Sequence, residues 1–276
     1  MAQRELKFES PSFFKRLKGM LGVDFYRLFH TPMYYIFLAI AAIIPAMILG
    51  TSGMENPQTG EIAPQLYTNV WHIIAADSPL YVVNSIAEYA NINMVFIFGG
   101  IMVSIFIGHD YKSGYVKQLF TTHAKKQDYM LSKVIVGAFS MACMCITYLI
   151  GAVVAGLLTG VSFEVNVMSL VCAIVGKIIM SLGWASLYTF LNIIFRKYFG
   201  ISIASSFFFG TGILIIGAAA ILGNNSLLNI FLYGSSVYAC LSANILTVLV
   251  CFVCSIVWAV IYTALGTRIL SKSDVY

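Results

Sequence analysis

The stretch that decides the fold is 110-DYKSGYVKQLFTTHAKKQDYMLSK-133, a basic segment with five lysines. Long apolar runs lie on both sides of it, at Ile92–Gly108 and at Val134–Gly160. A helix needs about 20 apolar residues to cross a hydrocarbon layer of about 30 Å. The two runs are therefore predicted to be membrane spans, and the basic segment is their connection outside the bilayer.

The composition of the whole chain supports the same class. Only 10% of the 276 residues are charged and the mean hydropathy is +0.89, whereas a soluble domain carries about 25% charged residues. We expect a single membrane domain over residues 1–276, with a cytoplasmic and interfacial segment at 1–32, a bundle at 33–266 and a cytoplasmic tail at 267–276. The apolar runs are continuous rather than alternating, which favours helices over a barrel.

The predicted fold class is an all-α integral membrane protein with six transmembrane helices. Before the first span, apolar residues recur at near-helical spacing among cations, which is typical of a helix lying in the membrane interface. A re-entrant hairpin is predicted at Gly223–Asn244, because its short apolar run cannot span. The six predicted spans are Met33–Gly50, Ile92–Gly108, Val134–Gly160, Val167–Phe195, Phe199–Leu222 and Ile245–Gly266.

The basic residues predict the orientation. Fifteen of the 16 lysines and arginines lie in the N-terminal segment, the Asp110–Lys133 segment, the connection after span 4 and the C-terminal tail. The positive-inside rule places these four segments, and hence both termini, in the cytoplasm. The net charge of +5 follows from the same distribution, because the cations set the topology and contact lipid head groups. No nucleic-acid partner is therefore expected.

The sequence contains none of the common catalytic or nucleotide-binding motifs. There is no phosphate-binding G-x-x-x-x-G-K-[ST] loop and no H-E-x-x-H or G-x-S-x-G pattern. We therefore expect a chain that is not an enzyme and that holds no metal or cofactor. Lys177 is the exception to the charge pattern, since it falls inside span 4. It either lines a cavity or pathway within the bundle or extends along a tilted helix toward the interface.

The Asp110–Lys133 segment itself has an amphipathic pattern. Tyr111, Tyr115 and Leu119 are predicted to share one helical face, with Lys112 and Lys117 on the wet side. Gly114 permits a bend before this short helix. The pattern fits either a knob that docks in the groove of a partner or a solvated loop that enforces topology.

The chain as a whole resembles a transmembrane permease subunit of a type-2 ABC exporter. The most specific part is 105-IFIGHDYKSGYVKQLFTTHAKKQDYMLSK-133, which has the family's acidic residue, its glycine, its short apolar-basic helix and its span-opening lysine. Tyr115 follows the glycine, and Thr122 and His123 stand where the family often has proline. This departure resembles the branch of lantibiotic-immunity and peptide-export permeases of Gram-positive bacteria. The residues that match the family pattern are Asp110, Gly114, Lys117, Leu119 and Lys133.

The resemblance implies a mechanical function in the plasma membrane. A separate ATP-binding cassette ATPase would bind ATP and Mg and push on the cytoplasmic coupling helix between spans 2 and 3, and a second permease chain, identical or homologous, would complete the path. The exported substrate would be a peptide or an amphipathic, lipid-like molecule. Alternatively, the chain is a sensor or immunity protein that binds a peptide at its extracellular loop, Thr51–Asn91, without transport. The residues expected to couple to the ATPase are Asp110, Tyr111, Lys112, Gly114, Tyr115, Lys117 and Leu119, with Lys177 as the pathway candidate.

Overall fold

A computed structural model describes residues 11–51, 94–121, 124–160, 167–212, 230–241 and 245–272. Within these ranges the regular structure is helical. In chain order the helices are α1 (Phe13–Phe29), α2 (Pro32–Thr51), α3 (Met94–Lys112), α4 (Tyr115–Thr121), α5 (Lys126–Thr159), α6 (Val167–Ile194), α7 (Phe199–Gly210), α8 (Leu232–Leu241) and α9 (Ile245–Lys272).

The first two helices form a bent pair. Their axes differ by 66° across the break between Phe29 and Pro32, where the residue before a proline disfavours continued helix. The helix predicted in the N-terminal segment is thus present as α1, and its Leu28 is fully buried against the bundle. Its position in the membrane interface stays a prediction.

The centre of the bundle lies where α6 packs between α5 and α9. Trp184 of α6 stacks between Phe96 of α3 and Tyr188, with ring centroids 5.7 and 5.5 Å apart. The helices α2 and α5 approach so closely at Gly151 that a Cβ there would lie 2.1 Å from the carbonyl oxygen of Ala42. Any side chain at this position would therefore separate the two helices.

Buried polar side chains join α7 to α3 and α6. The Ser104 and Ser206 hydroxyls lie 2.8 Å apart, and the Asn192 amide donates to Ser104 Oγ over 2.9 Å. Ser202 in turn donates to the Asn192 side-chain oxygen. Such interhelical bonds satisfy polar groups that would otherwise be unpaired in an apolar environment.

Four described helices are long and apolar enough to cross a membrane, and the count rises to five if α1 and α2 form one broken span. The four are α3, α5, α9 and the part of α6 at Leu170–Ile194. The helix α7 ends at Gly210, before the end of the predicted span at Phe199–Leu222, and Thr211 and Gly212 form a turn in which Gly212 has a φ of +67°. The rest of that span, 213–222, lies outside the described residues, so six spans remain a prediction.

Two other predictions fall wholly or partly outside the described residues. Most of the long loop at Thr51–Asn91 is one of them. The other is the re-entrant hairpin at Gly223–Asn244, of which the structure describes the ten-residue helix α8, packed against α6 and α9. Its re-entrant character stays a prediction.

Candidate functional site

The short helix α4 lies at the end of the bundle where α3 and α6 finish, α5 begins and α9 finishes. Val116 of α4 packs there in one cluster with Met130 of α5, Ile193 of α6 and Leu270 of α9. We call this the basic end, because the cations at the termini of these helices gather at it. The chain reaches α4 through Gly114, whose φ of +74° lies in the left-handed region that favours glycine.

The two faces of α4 have different surroundings. The apolar face points into the bundle, where Val116 is 1% exposed, and three residues pack partly buried on the same cluster: Tyr111, Leu119 and Phe120. The opposite face is exposed and polar, and it consists of Lys117, Gln118 and Thr121, with Lys112 and Ser113 just before it. The apolar residues predicted to dock a partner are therefore also packing residues of this chain, while the predicted wet side is confirmed for Lys112 and Lys117.

Asp110, the first residue of the quoted segment, is completely buried. Its carboxylate lies 2.7 Å from the Lys133 ammonium and also pairs with the Arg27 guanidinium. The Tyr129 hydroxyl donates to it over 3.2 Å. Asp110 thus serves inside the protein as an acceptor shared by α1 and α5.

A second buried carboxylate completes the cluster. Asp24 of α1 lies 2.6 Å from the Lys133 ammonium and 3.7 Å from Arg27, and the Ser132 hydroxyl donates to it over 2.6 Å. We call Asp24, Arg27, Asp110 and Lys133 the ionic cluster. Its two carboxylates and two cations balance, which is the condition under which buried charges are tolerated.

Aromatic rings surround the cations of the ionic cluster. The Arg27 guanidinium lies 4.3 Å from the ring centroid of Tyr115, and the Lys133 ammonium lies 4.6 Å from that of Phe106. Burial alone would lower the pKa of Arg27, but the hydrogen bond and charge of Asp110 and the charge of Asp24 outweigh it and raise that pKa. Burial, followed by the charge of Asp24, raises the pKa of the Tyr115 hydroxyl. At neutral pH Arg27 therefore stays charged and Tyr115 stays neutral.

An open cleft of about 510 Å³ runs between α1 and α4. Its floor includes Asp128, which is buried and lies 2.8 Å from Arg16. The cleft is basic at its rim and partly apolar within. Its lining includes Lys15, Arg16, Met20, Val23, Tyr115, Leu119 and Lys125.

Lys177 lies far from this end, within α6. Its side chain is only 7% exposed, and its ammonium lies 5.2 Å from the ring centroid of Tyr148 on α5. It therefore lies between helices of the bundle rather than extending along the outer surface. Its place in a cavity or pathway stays a prediction.

Sequence reasoning missed the partners of Asp110. Asp24 is the one acid of α1, on its apolar face and in register with Leu21 and Leu28. An isolated carboxylate on an apolar face signals a buried cation elsewhere, and Lys133 at the start of a span is a candidate. Among the described residues, no group of three or more histidines, cysteines or carboxylates could hold a metal ion.

The apolar helices, with a short helix held at the basic end, define the class as an integral membrane protein of several spans. The family described as ABC-2 family transporter protein matches residues 21–212, more than half of the chain, including α4 and the four residues of the ionic cluster. No curated protein matches the chain. The chain belongs to this family, and it is a permease subunit of an ABC transporter that works with an ABC ATPase.

Proposed function

We propose that this permease exports a peptide or an amphipathic, lipid-like substrate, and that its ATPase subunit acts on the chain through α4. ATP and Mg bind to the ATPase, and closure of the ATPase pushes the exposed face of α4. Movement of α4 then rocks the helices to which it is joined and opens a path formed with a second permease chain. The transport function rests on family membership. The contacts of α4 with the rest of the bundle support the proposal that the ATPase acts through this helix.

The joint at the base of α4 supports the mechanical part. Asp110 lies in the last turn of α3, and Lys133 lies in the first turns of α5. Their ion pair closes the base of this hairpin, and Arg27 and Asp24 join it to α1. A push on α4 is therefore transmitted to α1, α3 and α5 together, because buried ion pairs resist separation.

The cleft between α1 and α4 supports the contact with the ATPase. It lies between α1 and α4, and its lining carries Lys15, Arg16 and Lys125. An acidic and partly apolar segment of an ATPase would complement both its charge and its lining. Tyr115 and Leu119 line the cleft, so they can contact the partner while they also pack against this chain.

The choice of substrate rests on the resemblance of the 105–133 segment to lantibiotic-immunity and peptide-export permeases. The same resemblance favours a Gram-positive plasma membrane and a role in resistance to antimicrobial peptides. Lys177 supports a polar contact along the path, because its ammonium lies buried among membrane helices.

The experiment is reconstitution. The chain is expressed with the ATPase that co-purifies with it and sealed into vesicles, and ATP hydrolysis and movement of a labelled amphipathic peptide are measured together. Peptide movement that needs ATP, and hydrolysis that the peptide stimulates, are the expected results. Peptide binding without ATP-dependent movement would instead favour a sensor or immunity protein.

A further inference from the structure

A long groove lies on the outside of the bundle between α5 and α9. It has a volume of about 1120 Å³, large enough for part of a lipid molecule. Its walls are mostly apolar, and Val260 and Ile256 are 63% and 37% exposed along it. Four more residues of the walls are Leu131, Val134, Ile135 and Leu182.

The length of the groove along α9 is close to the thickness of one membrane leaflet. Along α9 it runs from Ile256 to Arg268 and Ser271. At 1.5 Å per residue, Ile256 and Arg268 are about 18 Å apart along the axis. Half of a hydrocarbon layer of about 30 Å is roughly 15 Å, so an acyl chain fits along the walls while its head group lies beside Arg268.

The mouth of the groove is cationic. Lys125, Lys126 and Arg268 line it, and its described lining contains no carboxylate. The Lys126 ammonium lies 3.4 Å from the Ser271 carbonyl oxygen, which places it across the mouth between the start of α5 and the end of α9. Phe13 of α1 borders the same mouth, and aromatic side chains favour the level of the head groups.

We infer that this groove is a binding site for an anionic phospholipid, with one acyl chain between α5 and α9 and the phosphate between Lys126 and Arg268. Charge complementarity selects this occupant over a zwitterionic lipid. A second copy of the chain fits less well, because a two-fold interface would place the same three cations of each copy near one another. The groove shares Lys125 with the cleft between α1 and α4, but Lys126 and Arg268 line the groove alone, so the lipid site does not depend on the ATPase contact proposed above.

The test measures lipid retention by the intact permease, purified with its ATPase, in nanodiscs of equal parts phosphatidylglycerol and phosphatidylcholine. Lipid that remains bound after transfer to detergent is identified by native mass spectrometry. Lys126→Gln with Arg268→Gln removes two charges at the mouth. Lys18→Gln with Lys197→Gln is the matched control, since it removes two exposed cations outside the groove lining. Ala264→Trp fills the groove at an exposed position without changing its charge.

The wild type should retain phosphatidylglycerol preferentially. The double substitution at Lys126 and Arg268 should lower that retention by up to roughly 25-fold, at about fivefold for each cation removed. The control pair should leave retention unchanged, and Ala264→Trp should lower it. Equal retention of the two lipids, or an equal loss in the control pair, would overturn the site. The site would also be overturned if inorganic phosphate displaced the lipid while Ala264→Trp left lipid retention unchanged. A cross-link between two copies of the chain through a cysteine at residue 264 would overturn it as well.

Discussion

The ammonium of Lys133 lies 2.7 Å from the carboxylate of Asp110, and both side chains are fully buried. These residues flank α4 on its two sides, so the pair closes the base of the short helix. The same ammonium lies 2.6 Å from Asp24 of α1. One lysine therefore joins three helices at the end of the bundle where the ATPase is proposed to act.

Removal of Lys133 should destabilise the permease strongly. Lys133→Met leaves the two buried carboxylates with Arg27 alone, and breaking a buried ion pair in this way costs about 3–5 kcal/mol. The thermal midpoint of the purified chain in detergent should fall well below that of Lys18→Met, a variant at an exposed position on α1.

A second substitution separates charge balance from packing. Lys133→Met with Asp24→Asn restores one cation to one carboxylate, so the double variant should recover part of the lost stability. If Lys133→Met is as stable as Lys18→Met, the ionic cluster does not hold α1, α3 and α5 together.

The exposed face of α4 should be sensitive to charge reversal. Lys117→Glu places a negative charge beside the basic rim that the acidic segment of the ATPase is proposed to contact, so the affinity should fall roughly tenfold or more. The affinity of the purified ATPase for permease in nanodiscs measures this. Lys197→Glu makes the same change at an exposed position beyond α6 and should have little effect. Equal losses in the two variants would mean that the ATPase responds to total charge rather than to α4.

Lys177 should affect transport without affecting assembly. Lys177→Met removes a cation that lies beside Tyr148 inside the bundle, and substrate-stimulated ATP hydrolysis should fall several-fold if substrate meets this charge. Lys177→Arg keeps the charge and should retain more of the activity. Normal transport by Lys177→Met, in a complex that assembles normally, would remove Lys177 from the path.

The orientation can be tested by labelling intact cells with a membrane-impermeant maleimide. A cysteine at residue 60 should react from outside, whereas Gln118→Cys on α4 should react only after the cells are opened. Reaction of both cysteines from outside would contradict the orientation predicted from the basic residues.

Much of the helical architecture was predictable, because a continuous apolar run has few alternatives in a bilayer. The helices α3, α5 and α9 were each placed correctly, although α5 begins at Lys126 rather than Val134 and α9 continues to Lys272. These extensions are polar or charged, so hydropathy alone ended the predicted spans too early. The end of α7 at Gly210 depends on a local turn that an apolar sequence does not reveal.

The site was predictable in position but not in its contacts. The pattern of the 110–133 segment indicated a short amphipathic helix, and α4 is present there. It did not show that Asp110 and Lys133 would meet, or that Asp24 and Arg27 would join them, because these pairs depend on how α1 packs against α3 and α5. The amphipathic pattern also left open what covers the apolar face of α4. In the structure, Val116 on that face packs against other helices of this chain.

The most direct test of the central proposal, that the ATPase acts on α4, is a site-specific cross-link. A photoreactive amino acid is placed at Gln118, which is exposed on α4, and in a second variant at Leu158, which is 82% exposed near the far end of α5. Leu158 lies at the end of α5, a helix of 34 residues that is about 50 Å long, whereas Gln118 is on α4, which packs near the start of α5. In native membranes, the Gln118 variant should cross-link to the ATPase and the Leu158 variant should not. An ATPase that binds and supports transport, yet never cross-links from Gln118 or from its neighbour Lys117, would contradict the account.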